Sequence, residues 1–179
     1  MTDTRTDTPD VKWQHIPDYP DLKPEKEPIT AVSIILSKGS LDMAYPALIL
    51  ANGARMSGID ATIFFTFWGL DVITKKKIDH LHVSTVGNPS MPIPTMLGGL
   101  PGMESVATTM MKKEIEKIEI PTVPEMIEIL SESGAHLYAC HMAMEMFKLK
   151  QEDLVPEVER VLSVMDFFDI AAGSQVIFI

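Results

Sequence analysis

Gly134-Ala-His-Leu-Tyr-Ala-Cys140-His-Met-Ala-Met-Glu-Met-Phe147 decides the fold. Residues 136–139 have the short apolar profile of a buried strand, and Met142, Met146 and Leu149 then recur at the i, i+4, i+7 spacing of one helix face. A strand that runs straight into a helix, in a chain that repeats this alternation, predicts an α/β domain. The junction falls on Cys140, the only cysteine of the chain. Unpaired backbone N–H groups and the positive end of the helix dipole favour thiolate over thiol at such a place. Cys140 is therefore the expected reactive residue, provided that its sulfur is not sealed among aliphatic side chains.

Upstream, Ala31-Val-Ser-Ile-Ile-Leu36 is a β-branched run that stops at Ser37-Lys-Gly-Ser40, the profile of a central parallel strand followed by a turn. The helix after it starts at Leu41 or at Pro46 and runs to Met56, with Ala47, Leu50, Ala51 and Ala54 on one face and Gly58 as its stop. Ala61-Thr-Ile-Phe-Phe-Thr66 is the second strand, with Trp68-Gly69 at its carboxyl end. A right-handed crossover makes the two strands parallel and brings both turns to one edge of the sheet. Ligands of open parallel sheets bind beyond that edge. The candidate site is therefore Cys140, Lys38, Gly39, Trp68, Gly69 and His141: a thiol, a cation, a backbone-accessible glycine pair, an aromatic wall, and a histidine placed to tune the thiol or donate a proton.

Residues 70–77 suggest a helical turn, and 80–85 alternate like a strand. Residues 87–102 suit neither state and read as a long loop. Its Met91, Ile93, Met96 and Leu97 need cover from a neighbouring subunit, a partner protein or the domain itself. Residues 103–118 read as an amphipathic helix with Met103, Val106, Met110, Met111 and Ile115 inward. Thr122-Val-Pro-Glu125 is a capping-box pattern that opens the next helix. Residues 158–162 read as a short strand or as part of the helix that follows, which Ser163 caps and Gly173 stops; residues 175–179 are a terminal strand. The expected architecture is three-layer and flavodoxin-like, with a mostly parallel central sheet and helices on both faces.

Composition sets the limits around this core. A chain of 179 residues, 46% hydrophobic, suits one domain, placed at 29–179. Residues 1–28 hold Pro9, Pro17, Pro20, Pro24 and Pro28 without an apolar period, which predicts an extended or poorly ordered tail that Trp13, Ile16 and Tyr19 are placed to anchor. The formal charge of −10 argues against nucleic acid, with Lys75-Lys76-Lys77 and Lys112-Lys113 as local exceptions. Neither a signal-peptide pattern nor an apolar run of ~20 residues is present, so a cytoplasmic location without membrane insertion is expected. One cysteine excludes an internal disulfide and a C-x-x-C motif. Ser37-Lys38-Gly39-Ser40 lacks the spacing of a nucleotide-binding P-loop, and Cys140, His141, Met142 and Met146 are neighbours rather than a spaced ligand set, so neither a metal nor a cofactor is expected. His136, alternating with Tyr138, is expected to be a hydrogen-bonded strand histidine.

Three separated motifs agree in order: residues 134–147, Gly87-Asn-Pro-Ser-Met-Pro-Ile-Pro94 with Leu100-Pro-Gly-Met103, and Val176-Ile-Phe-Ile179. Together they resemble the DsrE/DsrF-like proteins, and within these the branch with an Ala-Cys-x-Met-[Ser/Ala]-Met signature. The resemblance covers roughly residues 30–179 and leaves the tail out. It implies an α/β fold, a homo-oligomer, and a cysteine that accepts sulfur from a donor protein and hands it to another, the partners being TusA-like or rhodanese-like. Cys140 alone carries over. Some relatives have a second cysteine, so its absence here speaks against any mechanism that needs an internal disulfide. The expected function is that of a cytoplasmic sulfur carrier or sulfurtransferase, which takes sulfane sulfur or a thiosulfonate on Cys140 and passes it to a partner thiol. The alternative is a non-catalytic oligomeric interaction protein that docks a partner through the Met/Pro-rich loop 87–103.

Overall fold

The computed structural model describes residues 28–85 and 102–179. The tail and most of the Met/Pro-rich loop therefore lie outside the described residues. Five strands make one sheet: β1 (Ala31–Leu36), β2 (Asp60–Phe65), β3 (His136–Cys140), β4 (Arg160–Leu162) and β5 (Gln175–Phe178). All neighbouring strands are parallel, in the order β4-β3-β2-β1-β5.

Strand alternation sorts the side chains into two rows. Val32, Ile34 and Leu36 align with Ala61, Ile63 and Phe65 and with Leu137 and Ala139, and this row is buried throughout. Ser33 and Ile35 align with Thr62 and Phe64 and with His136 and Tyr138 on the opposite face. Helices α1 (Leu41–Met56) and α3 (Val123–Glu132) pack on each other over the first row. Helix α5 (Val164–Ala171) crosses the second row, where Phe167 stacks on Phe64 with ring centroids 4.5 Å apart and the Ser174 hydroxyl donates to the Ser33 hydroxyl at 2.7 Å. Direction of travel explains the split. Right-handed connections that step from β1 towards β4 fall on one face, and the return from β4 to β5 falls on the other.

The earlier of the two expected starts of α1 is the real one. Pro46 lies one turn inside the helix, where its missing N–H leaves only the Asp42 carbonyl without its intrahelical donor. The helix buries Ala44, Ala47, Leu48, Ala51 and Ala54, while Leu50, expected on this face, is 47% exposed. It ends at Gly58, whose φ of +73° is a conformation glycine adopts without strain. The expected capping box closes at the start of α3: the Thr122 amide and hydroxyl donate to the Glu125 carboxylate at 2.7 and 2.8 Å. Ser163 and Asp166 repeat the device at α5, so β4 is a strand separate from that helix.

Three expectations are corrected here. Residues 81–85 belong to none of the five strands, and a tight 3-10 turn, Ile78–His80, precedes them. The alternation misled because Leu81 and Val83 are buried by packing and not by a sheet. Helix α2 (Met103–Lys117) packs Met111 and Ile115 against the core as expected, but it is Ala107 and Thr108 that are buried, while Val106 and Met110, expected inward, are exposed. A hydrogen bond fixes this placement, since the buried Thr108 hydroxyl accepts from the Val83 amide at 2.9 Å. The helical turn expected at 70–77 occurs earlier, as the 3-10 segment Phe67–Ile73.

Candidate functional site

The turns after β1 and β2 are held together by two glycines. A Cβ on Gly69 would collide with the Leu36 carbonyl oxygen, and one on Gly39 with the Trp68 carbonyl oxygen. The Leu36 oxygen also accepts a hydrogen bond from the Thr66 amide at 3.0 Å. Gly69 is buried by this packing, so of the expected accessible pair only Gly39 reaches the surface. The close approach sets Lys38 and Trp68 side by side. Both are exposed, and both line a cavity of about 450 Å³ together with Gly39, Asp71, Lys76, Lys77, His80 and His82.

Cys140 ends β3 and is the N-cap residue of α4 (His141–Phe147). Its backbone is still extended, at φ −77° and ψ 118°, and its side chain makes no capping hydrogen bond. The junction forms because α4 buries Ala143 and Met144 while Met142 and Met146 face outward, 69% and 52% exposed. Across the sheet, Cys140 pairs with Leu162 of β4. The residue is 4% exposed, so the expected open mouth is nearly closed over the thiol.

His141 is exposed and does not engage the thiol: its Nε2 lies 3.9 Å from the Glu145 carboxylate one helical turn on. His136 has the strand partner expected of it, with Nδ1 2.8 Å from Glu159 Oε1 and its ring stacked parallel to Tyr138 at 6.0 Å. The Arg160 guanidinium covers Tyr138 5.6 Å from the ring centroid.

Lys38, Gly39 and Trp68 thus share a cavity, and Cys140 and His141 sit on the neighbouring turn of the same edge. The link between them is aromatic. The Trp68 ring lies 6.1 Å from that of Phe147 on α4 and 6.0 Å from that of Phe67. Phe67 is half exposed and has a φ of +45°, an uncommon left-handed backbone for a bulky residue. Sequence reasoning missed Ser40, Lys76, His80 and His82 as cavity residues. The lysine run at 75–77, a basic spot in an acidic chain, was the available signal.

Comparison with known proteins gives a consistent result. The profile of the DsrE/DsrF/DrsH-like family matches residues 29–179. The chain is 35% identical over 153 residues to the sulfur carrier protein DsrE2 of Allochromatium vinosum, covering 81% of this chain and 94% of that protein. It is 30% identical over 152 residues to YrkE, an uncharacterized protein of Bacillus subtilis, covering 82% and 95%. Among solved structures, MTH1491 of Methanobacterium thermoautotrophicum aligns with a TM-score of 0.52 at 10% identity over 83% of this chain and 98% of that one. The ychN protein of E. coli aligns with a TM-score of 0.51 at 12% identity, over 84% and 100%. These two share the fold, and the expected three-layer α/β architecture is the one observed. By sequence motif, by profile and by relatives matched over nearly their whole length, the chain belongs to the DsrE/DsrF/DrsH-like family.

Proposed function

We propose that the protein is a sulfur carrier that loads a sulfur atom on Cys140 and passes it to a cysteine of a partner protein. The observation that carries this reading is the position of the single thiol at the β3–α4 junction, in a chain related over most of its length to a protein named as a sulfur carrier. The Cys140 thiolate attacks the outer sulfur of a donor persulfide; a new S–S bond forms, the donor's S–S bond breaks, and the donor leaves as its thiolate. An acceptor thiolate then attacks the outer sulfur of the Cys140 persulfide and releases Cys140 as thiolate. No second thiol of this chain is needed, which suits a protein with one cysteine.

Near-closure of the site fits a carrier, because a persulfide shielded from solvent survives between donor and acceptor. Exchange then requires a local opening at the first turn of α4, which the approaching partner supplies. Donor and acceptor are proteins in this reading, and the cytoplasm, where thiols stay reduced, is the compartment. Among the described residues, no helix is long and apolar enough to cross a membrane. Self-association belongs to the same proposal: Met165 and Phe168 on α5 and Phe178 on the edge strand β5 are 73%, 61% and 70% exposed.

Intact-protein mass spectrometry after incubation with a persulfide donor tests the reading. The expected result is the added mass of one sulfur atom on the wild type, its absence on Cys140→Ser, and its removal by an acceptor thiol. No adduct with any donor would sink the proposal and favour the non-catalytic interaction protein.

A further inference from the structure

We infer that the cavity beside the β1 and β2 turns is a binding site for a tetrahedral oxyanion, free or as the head group of a larger small molecule. The chain carries a formal charge of −10, yet Lys38, Lys76 and Lys77 line this cavity, with His80 and His82 beside them. Two carboxylates oppose them. Asp71 is engaged, its Oδ1 2.7 Å from Lys77 Nζ, which leaves Glu104 as the carboxylate of the lining without an ion-pair partner among the described residues. Neither Lys38 nor Lys76 has an ion-pair partner among the described residues. Among the described residues, two cations without an ion-pair partner and one such carboxylate thus line a space of about 450 Å³.

Backbone donors belong to the same lining. The amides of Lys38, Gly39 and Ser40 have no acceptor among the described residues, and the Ser40 hydroxyl, at the N-cap of α1, makes no capping bond. Consecutive free N–H groups ahead of a helix of 16 residues form the kind of concavity that holds phosphate and sulfate groups. The first amide of α1 is committed elsewhere: Leu41 N–H donates to the His82 carbonyl at 2.8 Å and so ties the 81–85 segment, with His82, to the helix start. Gly39 is required by the arrangement, since a side chain there would meet the Trp68 carbonyl. The cavity is larger than a bare oxyanion, and the exposed Trp68 ring offers a flat apolar wall for the rest of a larger ligand. None of these groups depends on Cys140.

The test is isothermal titration calorimetry of the full chain at constant ionic strength with inorganic phosphate, sulfate and thiosulfate. Saturable millimolar or tighter binding of at least one anion is expected. Lys38→Gln/Lys76→Gln should weaken it by about tenfold or more, with the fold of the variant confirmed by circular dichroism. Cys140→Ser should bind the same anion with unchanged affinity, which separates this site from the sulfur chemistry proposed above. No saturable heat with any of the three anions, equal affinity in the double lysine variant, or binding of thiosulfate alone that disappears in Cys140→Ser would each overturn the inference.

Discussion

The backbone of Gly69 lies against the carbonyl oxygen of Leu36, so the turn after β2 closes on the end of β1 with no room for a side chain between them. Gly69→Ala is expected to destabilise the chain by about 1–3 kcal/mol, because the clash is with backbone that cannot swing aside. Gly53, in the middle of α1, is the control: a Cβ there meets nothing within 4 Å, and Gly53→Ala should stabilise by about 0.5–1 kcal/mol. Urea unfolding midpoints of the two variants should move in opposite directions.

Cys140 is nearly enclosed, so reagent size should control its modification. A small methylthiolating thiosulfonate, which leaves Cys140 as a methyl disulfide and departs as a sulfinate, should react with the native chain at least about tenfold faster than a bulky aromatic disulfide, and the gap should narrow in denaturing urea. Equal native rates for the two reagents would show that the first turn of α4 opens freely.

Two helix starts carry a pH signature. Hydrogen bonds from the Thr122 amide and hydroxyl hold the Glu125 carboxyl below its usual range, and those from the Ser163 hydroxyl and amide do the same for Asp166. A carboxyl with a lowered folded pKa takes up protons more readily when the chain is unfolded. Its contribution is complete above the unfolded pKa and is lost as pH falls through the folded one. Stability should therefore decline on acidification below about pH 5, and Glu125→Gln with Asp166→Asn should flatten that decline in denaturant titrations at a series of pH values. At neutral pH, Ser163→Ala should cost about 1 kcal/mol through loss of the cap.

Lys148 ends α4 in a left-handed conformation, φ +56°, with its side chain exposed. Lys148→Gly should stabilise the chain by up to about 1 kcal/mol, since glycine adopts this geometry without strain. Thermal unfolding reads the gain directly, and a lower Tm would show that the lysine stem packs.

Light scattering should give a mass above that of one chain, and Phe168→Glu with Phe178→Glu should return it to the monomer. Those rings lie on α5 and on the edge strand β5, the side of the sheet that a single eight-residue helix covers among the described residues. A monomeric wild type contradicts the proposed self-association.

Much of this was legible in the chain because local patterns had one physical solution. The β-branched runs at 31–36 and 61–66, the capping box from Thr122 to Glu125 and the strand-to-helix junction at Cys140 are each fixed by neighbours within a few residues. What depends on distant partners was not legible. On α2, Ala107 and Thr108 are buried in place of Val106 and Met110 because Thr108 is held by Val83, and residues 81–85 alternate although they belong to none of the five strands. Position alone brought Lys38, Gly39 and Trp68 to one edge, but the cavity they line also needs Lys76, His80 and His82, from a stretch whose pattern suggested a helical turn and then a strand and so gave no sign that it lies beside this edge. The near-burial of Cys140 was equally hidden, since it arises from α4 folding back against the Phe67–Ile73 segment and from Leu162 alongside.

The seat of β1 between β2 and β5 sets a timetable for the nascent chain. Ser37 donates through both its amide and its hydroxyl to the carbonyl of Ile179, a residue 142 positions later. At ordinary translation speeds that interval is roughly seven to thirty seconds. Throughout it, one edge of β1 leaves the ribosome without its second neighbour, a period in which a chaperone or a sister chain emerging from the same polysome can occupy the place that β5 finally takes.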